Sequence, residues 1–135
     1  MKTGIEAGMT ATSRVTIDKP RTIDFLGEDL RIYATPELVR DIEVTCRDFL
    51  LNYCDPGEDS LGTAVRVSHG GATLLGMNVE ITVKVTKVDG RAVSFDAVVS
   101  DGVEQIGSGE HSRFVVDVAK IKSKVMAKAQ KVRGG

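Results

Sequence analysis

Leu61-Gly62-Thr63-Ala64-Val65-Arg66-Val67-Ser68-His69 is an alternating run that ends on an imidazole. Strand side chains alternate with period two, so Arg66 and Ser68 point one way while Val65, Val67 and His69 point the other. The pattern predicts a strand over 61–69 on which His69 shares a buried face with two valines. A buried polar group without a partner costs about 1–3 kcal/mol. His69 is therefore either a satisfied core histidine or a functional one, and this stretch by itself leaves both open.

Upstream, residues 35–53 read TPELVRDIEVTCRDFLLNY. Thr35 suits an N-cap, Pro36 the first helical position, and Glu37 the positive end of the helix dipole. Leu38, Ile42, Cys46, Phe49 and Tyr53 recur at helical spacing as an apolar stripe, and Glu37, Arg40, Asp41 and Asp48 form the polar side. Glu43 lies on the flank of the stripe, with Val39, Cys46 and Leu50 as its neighbours along the helix. It is either a rim carboxylate paired with Arg47 at i+4 or a functional group.

Other stretches supply strands. Alternation predicts strands at 12–18 and 77–88, the last with Val79, Ile81, Val83 and Val85 on one face, and a short strand is expected over 30–34. Asp89-Gly90 is a hairpin signal, and the return strand 91–100 puts Val93, Phe95, Ala97 and Val99 together. Asp101-Gly102 leads into a strand over 103–116, in which Gly107 and Gly109 mark a bulge or a close backbone approach. Val118, Ile121, Val125 and Ala129 space a basic C-terminal helix at about 117–131. One long apolar helix amid antiparallel strands is an α+β layer arrangement. The open face of the sheet, on 77–88 and 91–100, favours a homodimer.

Composition narrows the function. The chain has 135 residues, fitting one domain over 1–135, and a net charge of −1 that gives no general electrostatic case for nucleic acid. Nothing reads as a signal peptide or a membrane span, so a cytoplasmic protein with no membrane partner is expected. Cys46 and Cys54 are too few for a disulfide framework, and a buried free thiol is expected at Cys46. No Cys/His cluster has metal spacing. Lys120, Lys122, Lys124, Lys128, Lys131 and Arg133 make a basic tail, which reads as a solvated face in preference to a site for substrate phosphates.

The motifs Ala34-Thr35-Pro36, Pro56-Gly57-Glu58, Ser60-Leu61-Gly62-Thr63-Ala64, Val67-Ser68-His69, Ala72-Thr73, Val88-Asp89-Gly90-Arg91, Asp101-Gly102-Val103 and Ile106-Gly107-Ser108-Gly109, with His111 and Arg113, occur in one order. From about Tyr33 to Val125 that order resembles the hotdog-fold thioesterases, on the branch typified by the fluoroacetyl-CoA thioesterase. The resemblance implies a curved antiparallel sheet wrapped around one long central helix. It implies hydrolysis of a small to medium acyl-CoA to free acid and CoA, with CoA as part of the substrate and no cofactor.

The same resemblance places the family's catalytic residues on Thr35, Glu43 and His69, and its substrate contacts on Gly62 and Arg113. Two lid phenylalanines of that branch fall on Leu26 and Asp29, with Phe25 out of register, so Leu26 and Phe25 are expected at the mouth of a more open acyl pocket. The alternatives are a hotdog hydratase or dehydratase, and a non-catalytic acyl-CoA binding domain. Glu43 and His69 stand on different elements, which favours the thioesterase.

Overall fold

The computed structural model describes residues 1–134. The chain runs β1 (Thr10–Thr16), β2 (Thr22–Ile23), β3 (Ile32–Tyr33), α1 (Thr35–Leu51), β4 (Glu58–His69), β5 (Asn78–Asp89), β6 (Ala92–Ser100), β7 (Gln105–Asp117) and α2 (Val118–Arg133). Five strands form an antiparallel sheet in the order β1-β5-β6-β7-β4, and β2 pairs with β3 separately. One face of this sheet packs on α1, giving the α+β hotdog architecture expected from the sequence.

The core follows from two periodicities. Leu38, Ile42, Cys46 and Leu50 of α1 meet Val79, Ile81, Val83 and Val85 of β5 and Val93, Phe95, Ala97 and Val99 of β6. Every second residue of β5 and β6 faces inward because the pleat alternates. Burying each large aliphatic side chain stabilises the fold by about 1.5–3 kcal/mol. Gly90 takes φ of 60° at the β5–β6 hairpin, a conformation glycine adopts without steric cost.

Several expectations are corrected. The first predicted strand covers Thr10–Thr16 instead of 12–18, although Ile17 just beyond it is fully buried. The β6–β7 register shifts between Gly107 and Gln105, so Gly107 borders a bulge as expected, while Gly109 lies within regular pairing. A side chain at Gly107 would meet the Ser68 carbonyl oxygen, and one at Gly109 the Arg66 carbonyl oxygen, so they serve close backbone approach. Another register shift lies across the ladder, between Gly62 and Ala64 of β4. Val65 is 45% exposed and Val67 only partly buried, because β4 is the edge strand of the sheet. The outward face of β5 carries Glu80, Thr82 and Lys84, so no apolar sheet face argues for a second copy.

Asp41 also departs from its assignment to the polar side. Its side chain is 4% exposed, accepts Arg21 Nε at 3.0 Å and Nη2 at 3.1 Å, and accepts the Tyr33 hydroxyl. Those bonds tie the segment before α1 onto the helix. Cys46 and Cys54 are both free and buried, and burial pushes the Cys46 thiol up to about 12. Asp117 caps α2 by accepting from the Lys120 amide, and none of the residues of α2 is buried. No helix among the described residues is long and apolar enough to cross a membrane.

Candidate active site

Thr35 opens α1 without capping it. Ala34 is the N-cap residue and no side chain caps the helix, so Thr35 and Pro36 are the first two helical positions. Freed from that role, the Thr35 hydroxyl lies 2.8 Å from His69 Nδ1 at the end of β4. The edge of the Tyr33 ring flanks the imidazole at a centroid distance of 5.9 Å. Burial lowers the pKa of His69 below its usual 6.5, opposed by the Gly71 backbone. His69 Nε2 is buried and has no hydrogen-bond partner among the described residues. An orphaned buried nitrogen is costly, which makes Nε2 a candidate position for a ligand group.

Glu43 stands eight residues along α1 from Thr35, which is about 12 Å of helix axis. Its side chain is 40% exposed, and Oε2 lies 3.6 Å from Arg113 Nη1. The predicted Arg47 partner is engaged elsewhere, since Arg47 donates to both oxygens of Asp59 at 3.0 and 2.7 Å. Arg113 alternates with His111 on β7, so both point under α1 toward Glu43. Arg113 donates through Nε to Ser60 Oγ and through Nη2 to the Ser60 carbonyl, each at 2.7 Å.

Gly62 completes this end. A Cβ there would lie 3.0 Å from Glu43 Oε2, 3.1 Å from His111 Cε1 and 3.5 Å from Arg113 Nη1. The missing side chain leaves an open cleft of about 310 Å³ lined by Glu43, Gly62, Thr63, Ala64, Val65 and His111. A second hollow of about 220 Å³ lies on the other side of Glu43, lined by Pro36, Val39, Arg40, Val44, Arg47 and Arg113.

The single chain thus gathers the five residues into two groups, Thr35 with His69 and Glu43 with Gly62 and Arg113. Because α1 runs antiparallel to β4, Thr35 meets the end of the strand and Glu43 meets its first half. Phe25 and Leu26 are 70% and 51% exposed, and neither lines the clefts around Glu43. The sequence motifs contain His111 but assign it no role. The signal that would have found it is its i, i+2 spacing from Arg113, which puts both on one strand face. Among the described residues no group of three or more His, Cys, Asp or Glu side chains could hold a metal ion.

The fold is that of the hotdog class, and comparison with known proteins supplies the family. Solved structures of similar shape include a thioesterase-superfamily member from Thermus thermophilus, at TM-score 0.88 and 23% identity over 98% of each chain, a likeness of fold alone. A structure of the fluoroacetyl-CoA thioesterase FlK matches at TM-score 0.86 and 33% identity, covering 93% of this chain and 98% of that one. The fluoroacetyl-CoA thioesterase of Streptantibioticus cattleyicolor is 35% identical over 95% of this chain and 97% of its own length. Residues 17–119 match the family described as fluoroacetyl-CoA-specific thioesterase, FlK. The chain belongs to that family and is a thioester hydrolase.

Proposed function

We propose that the protein hydrolyses a small to medium acyl-CoA at a site made of Thr35, Glu43 and His69, with Gly62 and Arg113 beside the thioester. Supporting this most directly is the orphaned, buried Nε2 of His69, an imidazole already oriented by Thr35 and lacking only a reacting partner. Glu43 takes a proton from water as its oxygen attacks the thioester carbon. Glu43 passes that proton to His69, the C–S bond breaks, and His69 delivers it to the departing CoA thiolate. The hydrolysis route needs no cofactor, since CoA arrives with the substrate. Direct attack by Glu43 would pass through a mixed anhydride, and single-turnover hydrolysis in labelled water distinguishes the routes by leaving label in Glu43.

The separation of Glu43 from Thr35 and His69 within one chain favours a second copy. The β4 edge is unpaired on its outer side, and Leu61 and Val65 are half-exposed along it. An exposed edge offers a row of backbone donors and acceptors to another strand. Two β4 edges paired antiparallel, with Gly62 of one copy beside His69 of the other, carry Glu43 of the first copy to the Thr35–His69 end of the second. A homodimer with two such shared sites follows.

Complementation tests this. Glu43→Gln and His69→Ala homodimers are each inactive on acyl-CoA. Mixed and reassociated, they regain about a quarter of wild-type activity, because half the dimers then carry one intact site. Failure to regain activity while heterodimers form would place both groups in one chain. A broad acyl-CoA panel releasing no free CoA from the wild-type protein would overturn the reaction itself.

A further inference from the structure

His111 is 2% exposed and makes two hydrogen bonds whose directions are fixed by their partners. Nδ1 lies 2.8 Å from the Ala64 carbonyl oxygen, which only accepts, so Nδ1 carries the hydrogen. Nε2 lies 3.2 Å from Arg113 Nη1, which only donates, so Nε2 presents its lone pair. The imidazole is thereby held neutral in one tautomer. Arg113 in turn is fixed by three acceptors on two strands: Ser60 Oγ, the Ser60 carbonyl and His111 Nε2. What remains of Nη1 faces Glu43 at 3.6 Å.

We infer that His111 is a positioning residue of the hydrolytic site, acting through Arg113 to hold the Glu43 carboxylate in its reactive orientation. The inference rests on the role given above to Glu43. A protonated His111 would lose the acceptor that Arg113 uses and set two cations 3.2 Å apart. Burial and the Arg113 charge both disfavour that state, while the Ala64 carbonyl and Glu43 oppose them. The charged or titratable groups around the pair are Glu43, Cys46 and Arg47 from α1, Asp59 from β4, and Arg113 on its own strand. Gly62 is part of the device, because any side chain there would press on both His111 and Glu43.

Two substitutions separate positioning from plain structural support. His111→Asn keeps a donor for Ala64 and loses the acceptor for Arg113, whereas His111→Gln places an amide oxygen near the position of Nε2. Asn should lower kcat by about 10–100-fold with KM changed little, as expected for a misplaced carboxylate. Gln should restore most of kcat and remove one ionisation from the acid limb of the pH–rate profile. In a Glu43→Gln background, His111→Asn should cause no further loss. Equal kcat for the Asn and Gln variants, or losses that only follow their melting temperatures, would overturn the inference.

Nitrogen NMR of the wild-type protein decides the matter if the variants do not fold. A neutral imidazole with unprotonated Nε2 at neutral pH is expected, and a hydrogen on Nε2 would overturn the inference. A fully active Glu43→Gln protein would defeat the reading of Glu43 itself. Equivalent Asn and Gln variants alongside an inactive Glu43→Gln protein would defeat the positioning role alone.

Discussion

The Thr35 hydroxyl and His69 Nδ1 lie 2.8 Å apart across 34 residues of sequence, joining the first turn of α1 to the last residue of β4. Neither side chain is occupied by the local role its position suggests. The threonine does not cap its helix, and the histidine leaves its second nitrogen without a partner. A polar pair held at one point and open at the other is suited to passing a proton to something brought between them.

Removing the acid–base groups is the most direct check on the proposed chemistry. Glu43→Gln and His69→Ala should each lose about 10²–10⁴-fold in kcat/KM, the usual range for a general acid or base. Far-ultraviolet circular dichroism and melting curves should stay close to wild type, because Glu43 is partly exposed and His69 ends its strand. Full activity in Glu43→Gln would reduce the carboxylate to the partner of Arg113.

Thr35→Ala should separate activity from stability. An N-cap threonine replaced by alanine typically costs about 1 kcal/mol. Here the bond lost is the one to His69 and not a cap, so stability should fall by about 0.5–1.5 kcal/mol through the helix–strand contact while kcat falls much further. A denaturant titration beside the thioesterase assay measures both, and unchanged kcat would reduce Thr35 to a structural partner of His69.

Asp41→Ala should be far more damaging to the fold. It leaves the Tyr33 hydroxyl without its acceptor and Arg21 with Asp18 alone, breaking a partly buried ion pair, on the order of 3 kcal/mol. Chemical denaturation reads this, and the segment before α1 should gain hydrogen exchange first. A change under about 1 kcal/mol, the range of surface pairs, would mean that the cluster is solvated in solution.

Stability should fall on acidification through the histidines. Burial holds both His69 and His111 below the ordinary 6.5, so the unfolded chain takes up their protons first as pH drops. Their contribution is complete above 6.5 and is lost as pH falls from there through the lowered folded values. Melting temperatures between about pH 8 and about pH 5 should decline on the acid side, and His111→Gln should decline less. A flat profile through that window would refute the burial effect.

Selectivity should be broad. A hydrophobic pocket separates substrates differing by one small group by only about 1–3 kcal/mol, so strong selectivity needs dedicated structure. The resemblance places Leu26 and Asp29 where that branch has lid phenylalanines, and Leu26 and Phe25 are exposed in the single chain. Comparison of kcat/KM for fluoroacetyl-, acetyl-, butyryl- and phenylacetyl-CoA should show no strong preference for the fluorinated substrate. A large preference would locate selectivity in another segment.

The sequence by itself determined the elements and their inward faces. Val79 to Val85 and Val93 to Val99 alternate strictly, Leu38, Ile42 and Cys46 keep a helical period, and the Asp89-Gly90 turn joins the long strands. Such signals are local: backbone geometry fixes which side chains share a face whatever the rest of the chain does. The ordered motifs also identified the family, and with it Thr35, Glu43, Gly62, His69 and Arg113 as candidates.

Only tertiary structure decided how these residues are partnered. Helical spacing paired Glu43 with Arg47, yet Asp59 takes Arg47 and Arg113 from β7 approaches Glu43. Spacing put Asp41 in solvent, yet Arg21 and Tyr33 from the preceding segment cover it. Alternation buried Val65, yet its strand lies at the sheet edge and leaves it open. Periodicity reports which way a side chain points, whereas burial and hydrogen bonding depend on which distant segment lies opposite. That is set by strand order and by the direction of α1 along β4, neither of which any local window contains.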